Sequence, residues 1–316
     1  MFIGIDVGLK HLDVAATEAA PTLPPRVPNT AAGIATLGAA LTSLNPTLVV
    51  LEATGNYHHP LLAALLVAAL PVSVANPAQT AAFRQSRLGR HKTDRQDAKL
   101  LARFGELHHG ELRRATPDEP DLAQLRALVG YRDDLVVQRT AARNRRHAAQ
   151  WREASPVVAW LEADLAAINA RLREVKAAIA VLLAARPETA VLTAQVGVGL
   201  GTAAAVLAYL PAGVLGNPKA AAAYAGLHPR HEQSGQRDRS RLSKQGCPAL
   251  RRYLYLAAVS AIHHDPEIAA WHQRLRDRGK AAKSAICAVA HKLLRRMMGR
   301  IRDVREPHPV ILPMAA

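Results

Sequence analysis

Short apolar segments and helical segments alternate along the first hundred or so residues, and this alternation constrains the fold most strongly. Residues 1–7 and 12–17 predict two strands, which a turn at Gly8 joins into a hairpin. The elements predicted after the hairpin are a helix over 30–44, a strand over 47–51, a helix over 59–70 and a strand over 71–75. Such alternation is typical of an α/β layer structure.

The pattern changes after this region. Residues 121–185 contain few glycines and carry Leu and Ala at helical intervals, which predicts two long helices broken near Ser155 and Pro156. A helical hairpin or coiled coil could carry a dimer interface or brace a long ligand, and a plain spacer between domains is the alternative. A chain of 316 residues also exceeds the usual size of one domain.

A glycine-rich turn opens the third region. Residues 196–201 read Val-Gly-Val-Gly-Leu-Gly and precede a helical segment over 202–209. The turn resembles the hairpin of helix-hairpin-helix DNA-binding modules, in which the backbone approaches a phosphate closely. A simple helix-to-helix turn explains the glycines equally well.

The charge of the chain predicts a polyanionic partner. The formal net charge is +16, and residues 230–306 contain 18 Lys and Arg against 7 Asp and Glu. For such a basic surface the common polyanions are DNA and RNA, so the C-terminal third is the strongest candidate for nucleic-acid binding. A basic protein from a GC-rich genome, with Arg in place of Lys, is the alternative.

Several classes of protein are disfavoured. The two cysteines, Cys247 and Cys287, are too few for a disulfide framework or a cysteine-based metal cluster, and they fit a reducing cytoplasm. The apolar run over 60–70 is too short to span a bilayer. Because the chain starts with an apolar strand that contains Asp6, it is also unlike a signal peptide. We therefore expect a cytoplasmic protein without a membrane partner.

Four carboxylates occupy positions from which they could converge. Asp6 and Glu52 end two predicted strands, and Asp94 and Asp97 lie one turn apart at the start of a predicted helix. Each one alone is explained as a helix cap or as a charge that complements a helix dipole. The four together favour a site in which a cation offsets their repulsion. Oxygen ligands without cysteine indicate Mg²⁺, with Mn²⁺ as the alternative, and hence chemistry on phosphate esters.

The motifs around these carboxylates resemble a known family. Residues 4–8 read Gly-Ile-Asp-Val-Gly, residues 51–55 Leu-Glu-Ala-Thr-Gly and residues 92–98 Lys-Thr-Asp-Arg-Gln-Asp-Ala. In order and spacing they resemble the RuvC-like domain of DEDD insertion-sequence transposases, the family that includes the Piv-type DNA invertases. The resemblance implies a ribonuclease-H-like fold in which Asp6, Glu52, Asp94 and Asp97 bind the metal.

The resemblance continues in the C-terminal third. The matching segments are Tyr-Ala-Gly-Leu-His-Pro at 224–229, Gln-Ser-Gly at 233–235, Ser-Lys-Gln-Gly at 243–246 and Leu-Arg-Arg-Tyr-Leu-Tyr-Leu-Ala-Ala at 250–258. They resemble the transposase domain of the same family, whose nucleophile is the serine of the Ser-Gly pair. This implies that Ser234 is the nucleophile. The residues alone favour a Ser-Gly turn in a basic loop.

Basic side chains near Ser234 are suited to phosphate oxygens. The predicted nucleic-acid contacts are Arg230, Arg237, Arg239, Arg241, Lys244, Arg251 and Arg252. Arg251 and Arg252 begin a predicted amphipathic helix, and Leu250, Leu254 and Ala257 form its packing face.

Together these features predict an α/β plus all-α protein of three parts: a RuvC-like DEDD catalytic domain over 1–115, a helical coiled-coil connector over 116–186 and a helical C-terminal transposase domain over 187–316. The resemblance implies a homodimer or homotetramer that cleaves and rejoins the DNA of element ends and target, guided by a bridge RNA. The alternatives are a metal-dependent nuclease or junction resolvase in which Ser234 is structural, an actin-like ATPase or kinase, and a non-catalytic nucleic-acid scaffold.

Overall fold

The N-terminal part of the chain forms a mixed β-sheet with helices, and the C-terminal part is mostly helical. The computed structural model describes residues 1–316 except 53–54, 56, 87–93, 118, 153–154, 235–236, 243–244 and 307–316. Side chains are also not described at 94, 155, 229–234 and 237–241. The chain divides into two compact units, Met1–Pro117 and Asp118–Ala316.

The N-terminal unit is built on one sheet. Its strands are β1 Phe2–Val7, β2 His11–Ala16, β3 Arg26–Pro28, β4 Leu48–Glu52 and β5 Val72–Ala75. They lie in the order β3-β2-β1-β4-β5. β2 is antiparallel to both β1 and β3, whereas β4 is parallel to both β1 and β5. The predicted hairpin and the two later strands are therefore confirmed.

Four helices accompany the sheet in the described part of this unit. They are α1 Ala31–Leu44, α2 His59–Val67, α3 Pro77–Gln85 and α4 Asp94–His108. α1, α2 and the start of α4 were predicted, but β3 and α3 were missed. β3 has only three residues, with Val27 alone buried, so no alternation marks it. α3 has a negative mean hydropathy and only Thr80 fully buried, so it lacks an apolar stripe.

The two faces of the sheet pack against different helices. Ile3, Ile5 and Val7 of β1 lie in a buried cluster with Leu37 of α1 and Leu61 of α2. On the opposite face, β4 contributes Leu48 and Val50 to a second cluster, which contains Leu101 and Phe104 of α4. Because side chains alternate along a strand, Gly4 and Asp6 belong to this second face.

Two glycines bring α4 unusually close to the sheet. A Cβ at Gly4 would overlap the Ala98 carbonyl oxygen and the Ala102 backbone nitrogen of α4. A Cβ at Gly105 of α4 would lie 2.6 Å from Cγ2 of Val50 in β4. The absence of side chains at both positions allows the backbone of α4 to cross β1 and β4 in direct contact.

An ion pair joins the outer strands. Asp13 of β2 is directly opposite Arg26 of β3. The Arg26 Nε and Nη2 donate to the two Asp13 carboxylate oxygens at 2.9 and 3.0 Å. The Asp13 side chain is 8% exposed, so this bidentate pair satisfies a carboxylate that is almost removed from solvent.

The C-terminal unit begins with two long helices. α5 spans Pro120–Gln150 and α6 spans Ser155–Ala184. They match the two predicted helices and the predicted break near Ser155. Leu122, Leu125 and Val129 of α5 join Leu172 and Leu183 of α6 in one buried cluster, so the two helices pack against each other.

The remaining elements complete the core of this unit. They are α7 Pro187–Thr193, α8 Leu200–Tyr209, a short 3-10 helix Ala212–Val214, α9 Pro218–Tyr224, β6 Pro229–Ser234, β7 Arg237–Leu242, α10 Pro248–His264, α11 Pro266–Asp277 and α12 Ala282–Arg305. Leu250, Leu254 and Ala257 of α10 are buried, which confirms the predicted packing face. α12, although basic, buries Leu293, Leu294 and other apolar side chains.

The antiparallel pair β6–β7 corrects the prediction of an all-helical C-terminal domain. Its sequences, Pro-Arg-His-Glu-Gln-Ser and Arg-Asp-Arg-Ser-Arg-Leu, contain almost no apolar residues. A strand is predicted from alternating apolar residues, and because this hairpin has almost none, the sequence did not predict it.

The glycine-rich turn before α8 has a packing role. Gly197 has a φ of +85°, and a Cβ there would lie 2.5 Å from the Ala257 carbonyl oxygen and 2.7 Å from the Ala261 nitrogen of α10. Close approach of the turn to α10 therefore accounts for this glycine, as expected of a helix-to-helix turn. None of the described helices is both long and apolar enough to cross a membrane.

The contact at Gly4 predicts the effect of adding one methyl group. We expect Gly4→Ala to lower the free energy of unfolding by about 1–3 kcal/mol, because backbone atoms of α4 must move. Gly38→Ala is the control: it lies inside α1, where a new Cβ meets nothing within 4 Å. That change should stabilise the protein by about 0.5–1 kcal/mol. Urea unfolding measures both, and equal effects would contradict the close approach of α4.

The Asp13–Arg26 pair predicts a second stability difference. Arg26→Met should cost about 1–3 kcal/mol, because it leaves a nearly buried carboxylate without its donors. Arg171→Met is the matched control, since Arg171 and Glu174 on α6 are 58% and 62% exposed. We expect that change to cost less than about 0.5 kcal/mol. Thermal unfolding that showed the same loss for both variants would refute a structural role for the Arg26 pair.

Candidate active site

Asp6 and Glu52 lie side by side at one edge of the sheet. In the parallel pairing of β1 with β4, Ile5 is opposite Leu51, so the next residues along the two strands are Asp6 and Glu52. Residues that are paired in register have side chains on the same face of a sheet. Both residues are partly exposed. Two of the four predicted ligands are therefore neighbours on the face that α4 covers.

α4 carries the other two predicted ligands. Asp94 is its first residue, and Asp97 immediately precedes Ala98, the residue whose carbonyl contacts Gly4. Gly4 is two residues before Asp6 on the same strand face. The first turn of α4 therefore lies at the edge of the sheet where β1 and β4 end. The side chain of Asp94 lies outside the described part, and among the described residues no group of three or more ligands is already assembled around a metal position.

α3 supplies partners for two of the acids. The Thr80 hydroxyl donates to Oε2 of Glu52 at 2.9 Å, and Thr80 is fully buried. Arg84, one turn further along α3, places Nη2 3.0 Å from Oδ1 of Asp97. Neither residue was predicted. The only sequence signal for Thr80 and Arg84 is that they are four residues apart and so lie on the same face of a helix. Polar pairs with this spacing are common in helices that belong to no functional site.

A cavity of about 200 Å³ opens beside Asp6. It is lined by Asp6, Gly8, Lys10, His11, Asp13 and Arg26. Asp13 is directly opposite Asp6 in the β1–β2 pairing. Because the Arg26 guanidinium engages both Asp13 oxygens, this extra carboxylate is already neutralised by the protein itself. Asp13 therefore differs from the four predicted ligands.

Ser234 ends strand β6, where its backbone is paired with that of Arg237 in β7. Ser234 is therefore the last residue of β6, and residues 235–236 after it lie outside the described residues. Its side chain lies outside the described part, as do the side chains of Arg230, Arg237, Arg239 and Arg241. Lys244 lies outside the described residues altogether.

The two predicted contacts on α10 have partners within the protein. Arg251 donates to the Ala225 carbonyl at 3.1 Å. Arg252 forms an ion pair with Asp133 of α5, although its side chain remains 49% exposed. Tyr253 donates to the same carboxylate at 2.6 Å, and burial together with this bond raises the pKa of the phenol. The Asp133 contacts fasten α10 to α5, whereas the Arg251 bond joins α10 to Ala225, the residue that follows α9. Both arginines therefore make structural contacts.

The donor set at the sheet edge is suited to a hard divalent cation. It offers carboxylate oxygens alone, which are the ligands that Mg²⁺ and Mn²⁺ prefer. Glu52 accepts a hydrogen bond from Thr80, as ligands of metal sites commonly do from a neighbouring residue, and Asp97 forms an ion pair with Arg84. Asp6, Glu52, Asp94 and Asp97 are the candidate ligands of such an ion, and the structure describes the side chains of all of them but Asp94.

Comparison with known proteins identifies relatives along most of the chain. Residues 3–149 match the DEDD transposase model of the IS110 type, described as transposase. Residues 189–273 match the model described as transposase IS116/IS110/IS902 family. The first match contains the five-stranded sheet and the four predicted metal ligands, and the second contains the β6–β7 hairpin and Ser234.

Individual relatives agree with these models. The pilin gene-inverting proteins of Moraxella bovis and Moraxella lacunata are each 29% identical over 265 residues, covering 81% of this chain and 80% of each relative. An uncharacterized 43.6 kDa protein of insertion element IS110 from Streptomyces coelicolor is 33% identical over 150 residues, covering 46% of this chain and 37% of that protein. On these matches, the chain belongs to the IS110-type DEDD transposases.

Proposed function

We propose that this transposase cleaves and rejoins DNA with a composite site, in which Asp6, Glu52, Asp94 and Asp97 hold a divalent metal ion and Ser234 is the nucleophile. One observation carries the metal half of the proposal. Asp6, the penultimate residue of β1, and Glu52, the last residue of the adjacent parallel strand β4, lie beneath the first turn of α4, which carries Asp94 and Asp97. The family relationship carries the serine half.

A Mg²⁺ or Mn²⁺ ion bound by these four residues would polarise the scissile phosphate and offset its charge. The protein's own part is to hold the carboxylates in position before the ion binds. The sheet register fixes Asp6 beside Glu52, and the glycine contacts fix α4 above them. The mixed five-stranded sheet order supports the RuvC-like, ribonuclease-H-like assignment of this domain.

The serine step conserves the energy of the phosphodiester bond. The Ser234 hydroxyl attacks the DNA phosphorus, its proton passes to solvent, and an oxygen–phosphorus bond forms as the bond to one deoxyribose oxygen breaks. The departing oxygen takes up a proton and leaves a DNA hydroxyl. A hydroxyl from another DNA end then reverses the attack, which rejoins the strand and releases serine. No ATP is consumed.

The basic C-terminal third would hold the DNA backbone. Residues 230–306 contain 18 Lys and Arg against 7 Asp and Glu. We assign the phosphate contacts to the basic residues that flank Ser234, which are Arg230, Arg237, Arg239, Arg241 and Lys244. Arg252 is half exposed and could contact a phosphate while it remains paired with Asp133, whereas Arg251 donates to the Ala225 carbonyl.

The assembly is the remaining part of the proposal. We assign 1–115 to catalysis, 116–186 to a coiled-coil connector and 187–316 to the transposase domain. Val137 of α5, Trp151 directly after α5, and Trp160 and Val181 of α6 are 62–79% exposed. We assign the subunit contacts of a homodimer or homotetramer to these helices. Guidance by a bridge RNA rests on the family resemblance and on the basic charge of the chain.

A covalent adduct between protein and DNA tests this function. Purified protein is incubated with Mg²⁺, DNA that carries the ends of its own element, and RNA transcribed from the adjoining non-coding segment. We expect a denaturation-resistant adduct, which Ser234→Ala and Asp6→Asn should each abolish. Ser240→Ala, in the neighbouring strand of the same hairpin, is the matched control and should retain the adduct.

The same assay separates the alternatives. Cleavage without an adduct, unchanged in Ser234→Ala but lost in Asp6→Asn, would indicate a metal-only nuclease or junction resolvase. DNA binding that leaves every strand intact would indicate a non-catalytic scaffold. The actin-like ATPase has no support among the relatives found, all of which are transposases, DNA-inverting proteins or insertion-element proteins.

A further inference from the structure

One face of α3 contacts two of the proposed metal ligands from different elements. Thr80 and Arg84 are four residues apart, so their side chains project from the same face of the helix. Thr80 contacts Glu52 at the end of β4, and Arg84 contacts Asp97 in the first turn of α4. α3 therefore links a strand-end carboxylate to a helix carboxylate.

The Thr80 hydroxyl constrains the Glu52 carboxylate. Thr80 is fully buried, so its hydroxyl requires a protein acceptor. Its oxygen lies 2.9 Å from Oε2 of Glu52 and 3.1 Å from the Pro77 carbonyl oxygen. Because a hydroxyl has a single proton, the shorter contact is the main bond. This bond engages one of the two carboxylate oxygens of Glu52 and thereby restrains the rotation of the group.

The Arg84 guanidinium supplies charge to Asp97. Nη2 of Arg84 lies 3.0 Å from Oδ1 of Asp97, and the two side chains are 33% and 13% exposed. At this separation, and with limited access of water, the positive charge offsets part of the repulsion between Asp97 and the neighbouring acids. It also repels any metal ion that binds to the same carboxylate.

α3 is itself held firmly in place. The Asn76 side chain caps its N-terminus by accepting from the Ala78 backbone N–H at 2.9 Å, and Pro77 follows at the first position. The Phe83 ring contacts Phe104 of α4 with centroids 5.4 Å apart. The Thr80 and Arg84 contacts therefore rest on an anchored helix.

We propose that α3 is the positioning element of the metal site. Thr80 orients Glu52 as a ligand, and Arg84 occupies Asp97 as an internal cation that an incoming metal ion must displace. Both are positioning residues, because they act through the carboxylates. The proposal rests on the proposed DEDD metal site and predicts opposite effects on metal affinity for the two residues.

A titration of the full chain with Mn²⁺ tests the Thr80 part without any assay of activity. Binding is monitored as the decrease of the electron paramagnetic resonance signal of free Mn²⁺. Thr80→Val keeps the shape but removes the hydroxyl, and we expect about tenfold weaker binding. Thr80→Ser restores a hydroxyl and should bind within about twofold of the unchanged protein. Gln79→Val is the matched control at an adjacent exposed position of α3 and should leave the affinity unchanged.

The same titration tests the Arg84 part. Arg84→Met removes the competing cation, so we expect Mn²⁺ to bind more tightly by about tenfold, the size of effect that one nearby charge has on proton binding to a carboxylate. Arg84→Lys keeps the charge and should stay near the unchanged affinity. Gln85→Met introduces the same side chain at a neighbouring exposed position and should have no effect.

The outcomes distinguish this proposal from the one on which it rests. Weaker binding in Thr80→Val with tighter binding in Arg84→Met supports positioning by α3, because general loosening of the fold would weaken both. Equal affinities in all variants, or a loss in both Thr80→Val and Arg84→Met, overturns it. If Mn²⁺ binding does not depend on Asp6 and Glu52, as tested with Asp6→Asn and Glu52→Gln, the metal site itself is wrong.

Discussion

The close approach of α4 to the sheet determines the geometry of the proposed active site. Gly4 in β1 and Gly105 in α4 lack the side chains that would separate the two layers. The backbone of α4 therefore crosses the strands at a fixed height, and its first turn lies where β1 and β4 end. This single packing constraint brings Asp6 and Glu52, which the strand register places, close to the part of α4 that carries Asp94 and Asp97. A site assembled in this way belongs to the rigid core of its unit rather than to loops.

The protein places compensating groups around the acidic edge of the sheet. Asp13 is neutralised by Arg26, Asp97 is paired with Arg84, and Glu52 accepts a bond from Thr80. These contacts differ in how many oxygens of each carboxylate they engage. Arg26 engages both oxygens of Asp13, whereas Thr80 contacts one oxygen of Glu52 and Arg84 contacts one oxygen of Asp97. This difference distinguishes Asp13, which serves the sheet, from Glu52 and Asp97, which we propose as ligands of a cation.

Local patterns predicted much of the N-terminal fold, because buried strands and amphipathic helices leave periodic apolar residues. The same patterns placed Asp6 and Glu52 at strand ends and Asp97 at a helix start. β3, α3 and the β6–β7 hairpin escaped prediction because they carry little apolar periodicity. Thr80 escaped because its partner, Glu52, is 28 residues away along the chain, and such contacts exist only once the fold has formed. Ser234 was indicated by family resemblance, since its surroundings alone favoured a polar turn.

The central claim is that acids from β1, β4 and α4 share one divalent cation. Anomalous diffraction from a crystal soaked in Mn²⁺ tests it directly, since the anomalous signal locates the ion without reference to activity. We expect a peak within about 2.0–2.6 Å of carboxylate oxygens from Asp6, Glu52 and at least one acid of α4. An ion held elsewhere, with these carboxylates keeping only their protein partners, would contradict the account.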